Sequence, residues 1–155
     1  MNSNRTAWLL ISPTILILVL VGLVPFTGVD MNTFEKPVVE VTPGDPPTTL
    51  LIEDVHIGGG PECSAGQPIS VDYVGVSWSN STEFDSSWSR NEVFTFQLGV
   101  GQVIEGWDKG CLGMKVGGRR RLVIPPGQAY GEQGAGGVIG PSETLIFVVD
   151  LRSIG

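Results

Sequence analysis

Three short motifs supply aromatic and polar side chains that could form a chemical site: FDSS at residues 84–87, VIEGW at 103–107 and AYG at 129–131. Most of these side chains are apolar or aromatic, and a carboxylate and a phenol are among the few polar groups. Aromatic residues with a polar tip are typical of pockets that are dry inside and hydrogen-bonded at the rim. The motifs therefore predict an apolar pocket edged by a few polar groups.

Other kinds of chemistry lack the residues they need. A Ser-His-Asp or Cys-His mechanism requires a base within reach of its nucleophile, and the single histidine, His56, stands just before the glycine turn at 58–60. The two cysteines, Cys63 and Cys111, form no CxxC motif, and no two His or Cys residues have the spacing of metal ligands. The sequence predicts no nucleophilic catalysis, no metal site and no cofactor.

The elements that position these motifs follow from the alternation of apolar and polar residues. Strands are expected at about 49–57, 69–73, 94–98, 122–124 and 144–151, and the stretch 76–89 indicates a strand, a loop and a bulged return. One short helix is predicted at about 104–112, where several glycines require tertiary packing to hold it. A glycine-rich and proline-rich loop precedes the last strand, and loops of that length in small domains are usually functional. The pattern is α+β.

In their order and spacing, the three motifs resemble the FKBP family of peptidyl-prolyl cis-trans isomerases. The turns at 98–99, 113–117 and 124–126 fall where that family has its turns. The resemblance covers about residue 46 to the C-terminus. It implies an FKBP-like antiparallel sheet of about five strands wrapped around one short helix, and an enzyme that accelerates rotation about Xaa-Pro bonds.

The resemblance also assigns residues to the pocket. Those expected to be catalytic are Tyr73, Phe84, Asp85, Trp107, Tyr130 and Phe147. Those expected to bind the substrate are Arg90, Phe94, Val103, Ile104, Val138 and Ile139. Trp107 would form the floor under the proline ring, and Asp85 would be held by Tyr73 and Arg90. The backbone N–H of Ile104 and the hydroxyl of Tyr130 would hold substrate acceptors.

The long loop departs from the family pattern. Ala135 and Gly136 stand where members often have histidine and proline, and Gly140-Pro141 replaces a double proline. Gln102 takes the place of an acidic residue that is common before the Val-Ile pair. The segment 134–140 is therefore expected to be looser, which leaves substrate preference and macrolide affinity open while sparing the core chemistry.

The implied partners are proline-containing polypeptides and, as inhibitors, macrolides of the rapamycin class. A net charge of −7 speaks against nucleic acid, because phosphate binding needs a cationic face. The one basic cluster, residues 119–121, is expected to be a solvated strand end. The alternative to an enzyme is a non-catalytic FKBP-like binding module that holds a protein partner outside the membrane. Retention of the six positions expected to be catalytic favours the enzyme.

Residues 1–27 are predicted to be a signal peptide or a membrane anchor. Arg5 precedes an uncharged stretch at 7–26 and acidic residues follow it, so the positive-inside rule places the rest of the chain outside. About 20 helical residues would cross a bilayer, but Pro13 shortens the strongest apolar run to the length of a signal peptide. Both interpretations stay open, although the lack of a clean small-x-small cleavage site favours retention. The predicted location is extracytoplasmic, either membrane-anchored through this segment or secreted.

Residues 28–47 are predicted to be a proline-rich tether, and residues 48–155 the isomerase domain. The prolines prevent a helix and favour extended backbone. Cys63 and Cys111 both lie in the part expected to be outside, where an even number of cysteines predicts one disulfide. Such a bridge would stabilise the domain by roughly 4 kcal/mol through the unfolded chain. The alternative is a pair of buried thiols that are too far apart to join.

Overall fold

The structure, a computed structural model, describes residues 35–155. The two long strands at 68–77 and 145–154 are buried along most of their length, whereas the strand at 51–56 is exposed. The elements are β1 Leu51–His56, β2 Pro68–Ser77, β3 Glu83–Ser86, α1 Ser87–Arg90, β4 Phe94–Gln97, α2 Glu105–Gly110, β5 Arg119–Ile124 and β6 Leu145–Ile154. Two 3₁₀ turns, Pro126–Gln128 and Gly131–Gln133, lie in the long loop before β6.

The strands form one antiparallel sheet in the order β1, β5, β6, β2, and both β3 and β4 pair with the remaining edge of β2. The predicted antiparallel sheet around a short helix is confirmed. It has six strands rather than about five, because its outermost position is divided between two short strands. β4 pairs with residues 68–71 and β3 with residues 74–76. The single turn of α1 lies between these two strands and adds a second short helix to the predicted one.

Helix α2 packs against the inner face of the sheet through its glycines. A Cβ on Gly110 would lie 2.7 Å from both terminal methyl groups of Leu122, and a Cβ on Gly106 would overlap the side chain of Ile124. The glycines that weaken the helix in isolation therefore allow it to approach β5 closely. This packing buries Trp107 between the helix and the sheet.

The C-terminal end of α2 is bonded to a side chain of the sheet. Nη1 of Arg120 donates to the carbonyl oxygen atoms of Gly110, at 2.9 Å, and Leu112, at 2.8 Å. Its Nε donates to Asp54 at 2.7 Å. The expectation of a solvated basic strand end is wrong for this residue, whose side chain is only 10% exposed. Its guanidinium instead caps carbonyl groups that a helix end leaves unpaired.

The described part of the tether, residues 35–47, runs beside the outer face of the sheet, and we call it the strap. Nη2 of Arg119 donates to the carbonyl oxygen of Glu35 at 2.8 Å, and Arg121 donates to that of Glu40 at 3.4 Å. The strap and the outer face border a common cleft that includes Val39 and Val148. The strap forms no strand, but its backbone is held at two points by these bonds.

The structure differs from the predicted disulfide between Cys63 and Cys111. Both cysteines are free and buried, and the thiol of Cys63 points to the carbonyl oxygen of Cys111, with Sγ at 3.1 Å from that atom. Burial raises the pKa of the Cys63 thiol and raises that of Cys111 to about 12. Because the thiolate is the form that oxidises, this burial protects both residues. The structure corresponds to the alternative of two buried thiols.

The predictions for residues 1–27 and for the first part of the tether lie outside the described residues. Between residues 35 and 155, no helix has the length and apolarity needed to cross a lipid bilayer.

Candidate functional site

A concave pocket of about 260 Å³ lies on the inner side of the sheet, beside α2. It is lined by Tyr73, Phe84, Asp85, Phe94, Gln102, Val103, Ile104, Trp107, Tyr130 and Phe147. These residues come from β2, β3, β4, the segment between β4 and α2, α2 itself, the long loop and β6. The fold therefore brings all six residues expected to be catalytic to one place, together with three of those expected to bind the substrate.

Trp107 lies in the centre of this pocket, in the first turn of α2. Its ring centroid lies 5.1 Å from that of Tyr73 and 5.2 Å from that of Phe147, and both contacts are edge-to-face. Phe94 adds a third edge-to-face contact at 6.0 Å. Such contacts fix ring orientation as well as burying apolar surface. The floor of the pocket is therefore rigid and apolar.

A glycine in β2 makes room for the pocket wall. Phe84 and Phe147 pack edge-to-face with centroids 5.5 Å apart, and a Cβ on Gly75 would lie 2.7 Å from an atom of each ring. Gly75 is paired with Asp85 and with Phe147 on its two sides. An isolated glycine inside a strand pattern can signal close approach of other groups, and here it marks the site.

The polar edge of the pocket is a hydrogen-bonded group of three side chains. The hydroxyl of Tyr73 donates to Oδ2 of Asp85 at 2.5 Å, and Nη2 of Arg90 donates to the Tyr73 oxygen at 2.8 Å. Nη1 of Arg90 also donates to Oδ1 of Asp85, which accepts the backbone N–H of Ser86 at 2.8 Å. Arg90 does not line the pocket, and it acts through its bonds to Tyr73 and Asp85.

These contacts fix the charge on each group. Burial alone would raise the pKa of Asp85, but the hydrogen bonds from Tyr73 and Arg90 outweigh burial and lower it. Burial raises the pKa of Tyr73 to about 12, and the bond to Asp85 adds to this effect. Burial and the charge of Asp85 also raise the pKa of Tyr130. At neutral pH the pocket thus contains one carboxylate and two protonated phenols.

Besides Arg90, two other predicted substrate-binding residues, Val138 and Ile139, do not line the pocket. Val138 is 64% exposed, and Ile139 is buried in the core cluster at 7% exposure. The segment is closed by reciprocal backbone bonds between Ala135 and Ile139, each 3.0 Å long. Gly136 and Gly137 form the turn between them, with φ of 60° and 70°. Gly136, which stands where family members often have proline, therefore forms a tight turn with Gly137, and the next residue, Val138, lies at the surface.

Two contributors to the site were not predicted as site residues. Gln102 lines the pocket, and its Oε1 accepts the N–H of Gln97 at 2.9 Å. The carboxylate of Asp108 accepts the N–H groups of Gly99 and Gly101, both at 2.8 Å. Asp108 therefore holds the loop that leads into α2. The place of Gln102 beside Val103 was a signal that it could line the pocket. Nothing near Asp108 in the sequence indicates that it holds this loop.

Comparisons with known proteins agree with this geometry. The family model described as FKBP-type peptidyl-prolyl cis-trans isomerase matches residues 60–152. An FK506-binding protein of Streptomyces anulatus is 56% identical over 123 residues, which are 79% of this chain and 99% of that protein. An FK506-binding protein of Neisseria meningitidis serogroup A is 52% identical over 107 residues, which are 68% of this chain and 96% of that protein. The crystal structure of AtFKBP13 superimposes with a TM-score of 0.65 and 40% identity, covering 71% of this chain and 96% of that one.

Proposed function

Because this chain belongs to the family of FKBP-type peptidyl-prolyl cis-trans isomerases, we propose that it accelerates Xaa-Pro rotation in exported proteins and so assists their folding. The observation that carries this proposal is the apolar pocket floored by Trp107 and edged by the bonded group of Tyr73, Asp85 and Arg90. The same pocket would bind proline-containing segments and macrolides of the rapamycin class.

The reaction needs shape and dryness rather than a nucleophile. Rotation about an Xaa-Pro amide faces a barrier of about 18–20 kcal/mol because resonance is lost in the twisted state. The planar amide is strongly dipolar, and the twisted amide has lost charge separation. An aromatic, water-poor pocket therefore favours the twisted state over the planar ground state. The Tyr130 hydroxyl and the N–H of Ile104 would hold substrate carbonyl groups on either side of the proline ring.

The rate of isomerisation is expected to be nearly independent of pH between about 6 and 9, because no pocket group titrates there. The lowered pKa of Asp85 keeps it charged, and its contribution to stability is lost only in acid, as the pH falls through that folded value. The raised pKa values of Tyr73 and Tyr130 keep both phenols protonated. A protease-coupled or NMR exchange assay on a short Xaa-Pro peptide, run across this range in water and in deuterium oxide, tests the prediction. A bell-shaped profile or a large solvent isotope effect would point to proton transfer and contradict it.

The same assay separates the enzyme from a non-catalytic binding module. A binding module would retain affinity for prolyl peptides and leave their exchange rate unchanged. Inhibition by a rapamycin-class macrolide at a stoichiometric amount would assign the measured activity to this pocket rather than to a contaminating isomerase.

The proposed extracytoplasmic location is supported by the charge pattern of the N-terminal segment. Arg5 precedes the apolar stretch at 7–26, and acidic residues follow it. A reporter that is active only outside the membrane, fused after Gly155, is expected to be active in the full chain. Replacing the apolar stretch by a polar sequence of equal length is the control and should abolish that activity. A reporter active only in the cytoplasm would contradict the proposed location.

A further inference from the structure

The start of the strap is bonded to the segment that carries part of the pocket. Nζ of Lys36 lies 2.9 Å from Oε1 of Glu83 and 3.4 Å from Oγ of Ser89, whose hydroxyl donates to the same Oε1 at 3.3 Å. Glu83 begins β3, and Ser89 lies in α1. We call residues 83–90 the site corner, because Phe84, Asp85 and Arg90 lie in it. Lys36 therefore contacts both halves of the site corner.

The site corner has little regular structure of its own to hold it. β3 has four residues and pairs only with β2 among the described strands. Its register shifts between the pairs of Gly75 with Asp85 and of Val76 with Glu83, so Phe84 occupies a bulge. α1 is a single turn, and helices this short are not stable alone. Side-chain contacts therefore help to position the corner: Ser87 makes buried bonds to Tyr73 and Asp72, and Lys36 adds a contact at the surface.

The strap can provide such a contact because it is itself held to the centre of the sheet. Arg119 binds the carbonyl oxygen of Glu35 and also both carboxylate oxygen atoms of Asp150, at 2.6 and 2.8 Å. Asp150 is fully buried in β6. A two-pronged bond between a guanidinium and a carboxylate fixes orientation as well as distance. The backbone next to Lys36 thus has a fixed position relative to the sheet.

We propose that Lys36 is a positioning residue for the isomerase reaction, holding the site corner in the conformation that binds the substrate. This inference rests on the proposed function. Lys36 lies outside residues 60–152, which match the family model, so the strap adds a support to the domain that the family model describes. The side chains of Lys36 and Glu83 are 41% and 38% exposed, so the support is modest in size and sensitive to salt.

The test is the steady-state kinetics of Lys36→Met with a short Xaa-Pro peptide at low salt. KM is expected to rise about threefold, the size of effect that a partly exposed ion pair can have on a conformational equilibrium. The value of kcat should not change, because a bound peptide holds the corner in place of Lys36. In about 1 M salt the KM of the wild-type chain should approach that of the variant, since the ion pair is screened.

Three controls separate positioning from a general loss of structure. Lys36→Arg should restore the wild-type KM, and the double reversal of Lys36→Glu with Glu83→Lys should recover part of it. Lys115→Met removes one positive charge elsewhere and should leave KM unchanged. The melting temperatures of all these variants should agree closely.

An unchanged KM in Lys36→Met, with an active wild-type chain, would overturn the proposal. So would a fall in kcat together with a lower melting temperature, or a failure of Lys36→Arg to restore KM. A wild-type chain without isomerase activity would instead overturn the proposed function, so the two failures are distinguishable.

Discussion

Replacing Phe147 by alanine is expected to cost about 3–5 kcal/mol of stability and most of the isomerase activity. The side chain is buried, and its ring contacts those of Phe84 and Trp107, at centroid distances of 5.5 and 5.2 Å. Truncation would leave a cavity beside the pocket floor and let both rings move. Urea unfolding measures the stability, and the peptide assay measures kcat/KM.

Two further variants separate stability from pocket shape. Val148→Ala alters the next residue of β6, which is buried on the opposite face, and should lower stability while leaving kcat/KM nearly unchanged. Phe147→Leu retains most of the volume and should fold, yet still lose activity because the aromatic wall is gone. If Phe147→Leu were as active as the wild-type chain, the wall would need only volume, and the role given to the aromatic ring would be wrong.

Asp85→Ala is expected to lower kcat/KM about tenfold. A loss of this size corresponds to the free energy that one hydrogen bond to a charged group typically contributes. The substitution removes the acceptor of the Tyr73 hydroxyl and the partner of Arg90. Stability should fall by no more than about 1 kcal/mol, because an exposed ion pair contributes little and the side chain of Asp85 is 40% exposed. The Tyr73 oxygen also retains its bond from Arg90.

Asp85→Asn and Glu53→Ala are the matched variants for this prediction. Asp85→Asn preserves the shape without the charge, so its activity shows how much of the effect is electrostatic. Glu53 lies in β1, at the other edge of the sheet, and pairs with Arg121 of β5. Glu53→Ala removes this carboxylate and should leave kcat/KM unchanged. Full activity in both Asp85 variants would show that the reaction does not need the carboxylate and would contradict the role given to Asp85.

The sheet, the short helix and most of the pocket lining could be predicted because a short stretch of sequence contains the pattern for each. Alternation in 69–73 and 94–98 indicates strands, and the motifs around Phe84, Trp107 and Tyr130 place the pocket by resemblance. What could not be predicted depends on partners that are distant in sequence. Nothing near Arg120 shows that its guanidinium meets the end of α2.

The contacts of the strap could not be predicted for the same reason. Its prolines predict an extended chain, and residues 35–47 contain no helix or strand. Whether that chain is free or bound to the domain depends on Arg119 and Arg121 presenting donors on the outer face of β5. The alternation of β5 predicts that face, but it does not predict that a carbonyl of the strap will lie there.

The pairing of β2 with β6 determines when the pocket can form during synthesis and folding. β2 pairs along its length with a strand at the far end of the chain, from Ile69 with Ile154 to Ser77 with Leu145. Contacts between such distant residues form slowly, and a chain made from its N-terminus delivers β2 long before its partner. A nascent chain that ends before Leu145 already has Trp107 and Tyr130 but lacks a pocket. Isomerase activity therefore requires the last strand, and a molecule cannot catalyse proline isomerisation in itself before that strand has been made.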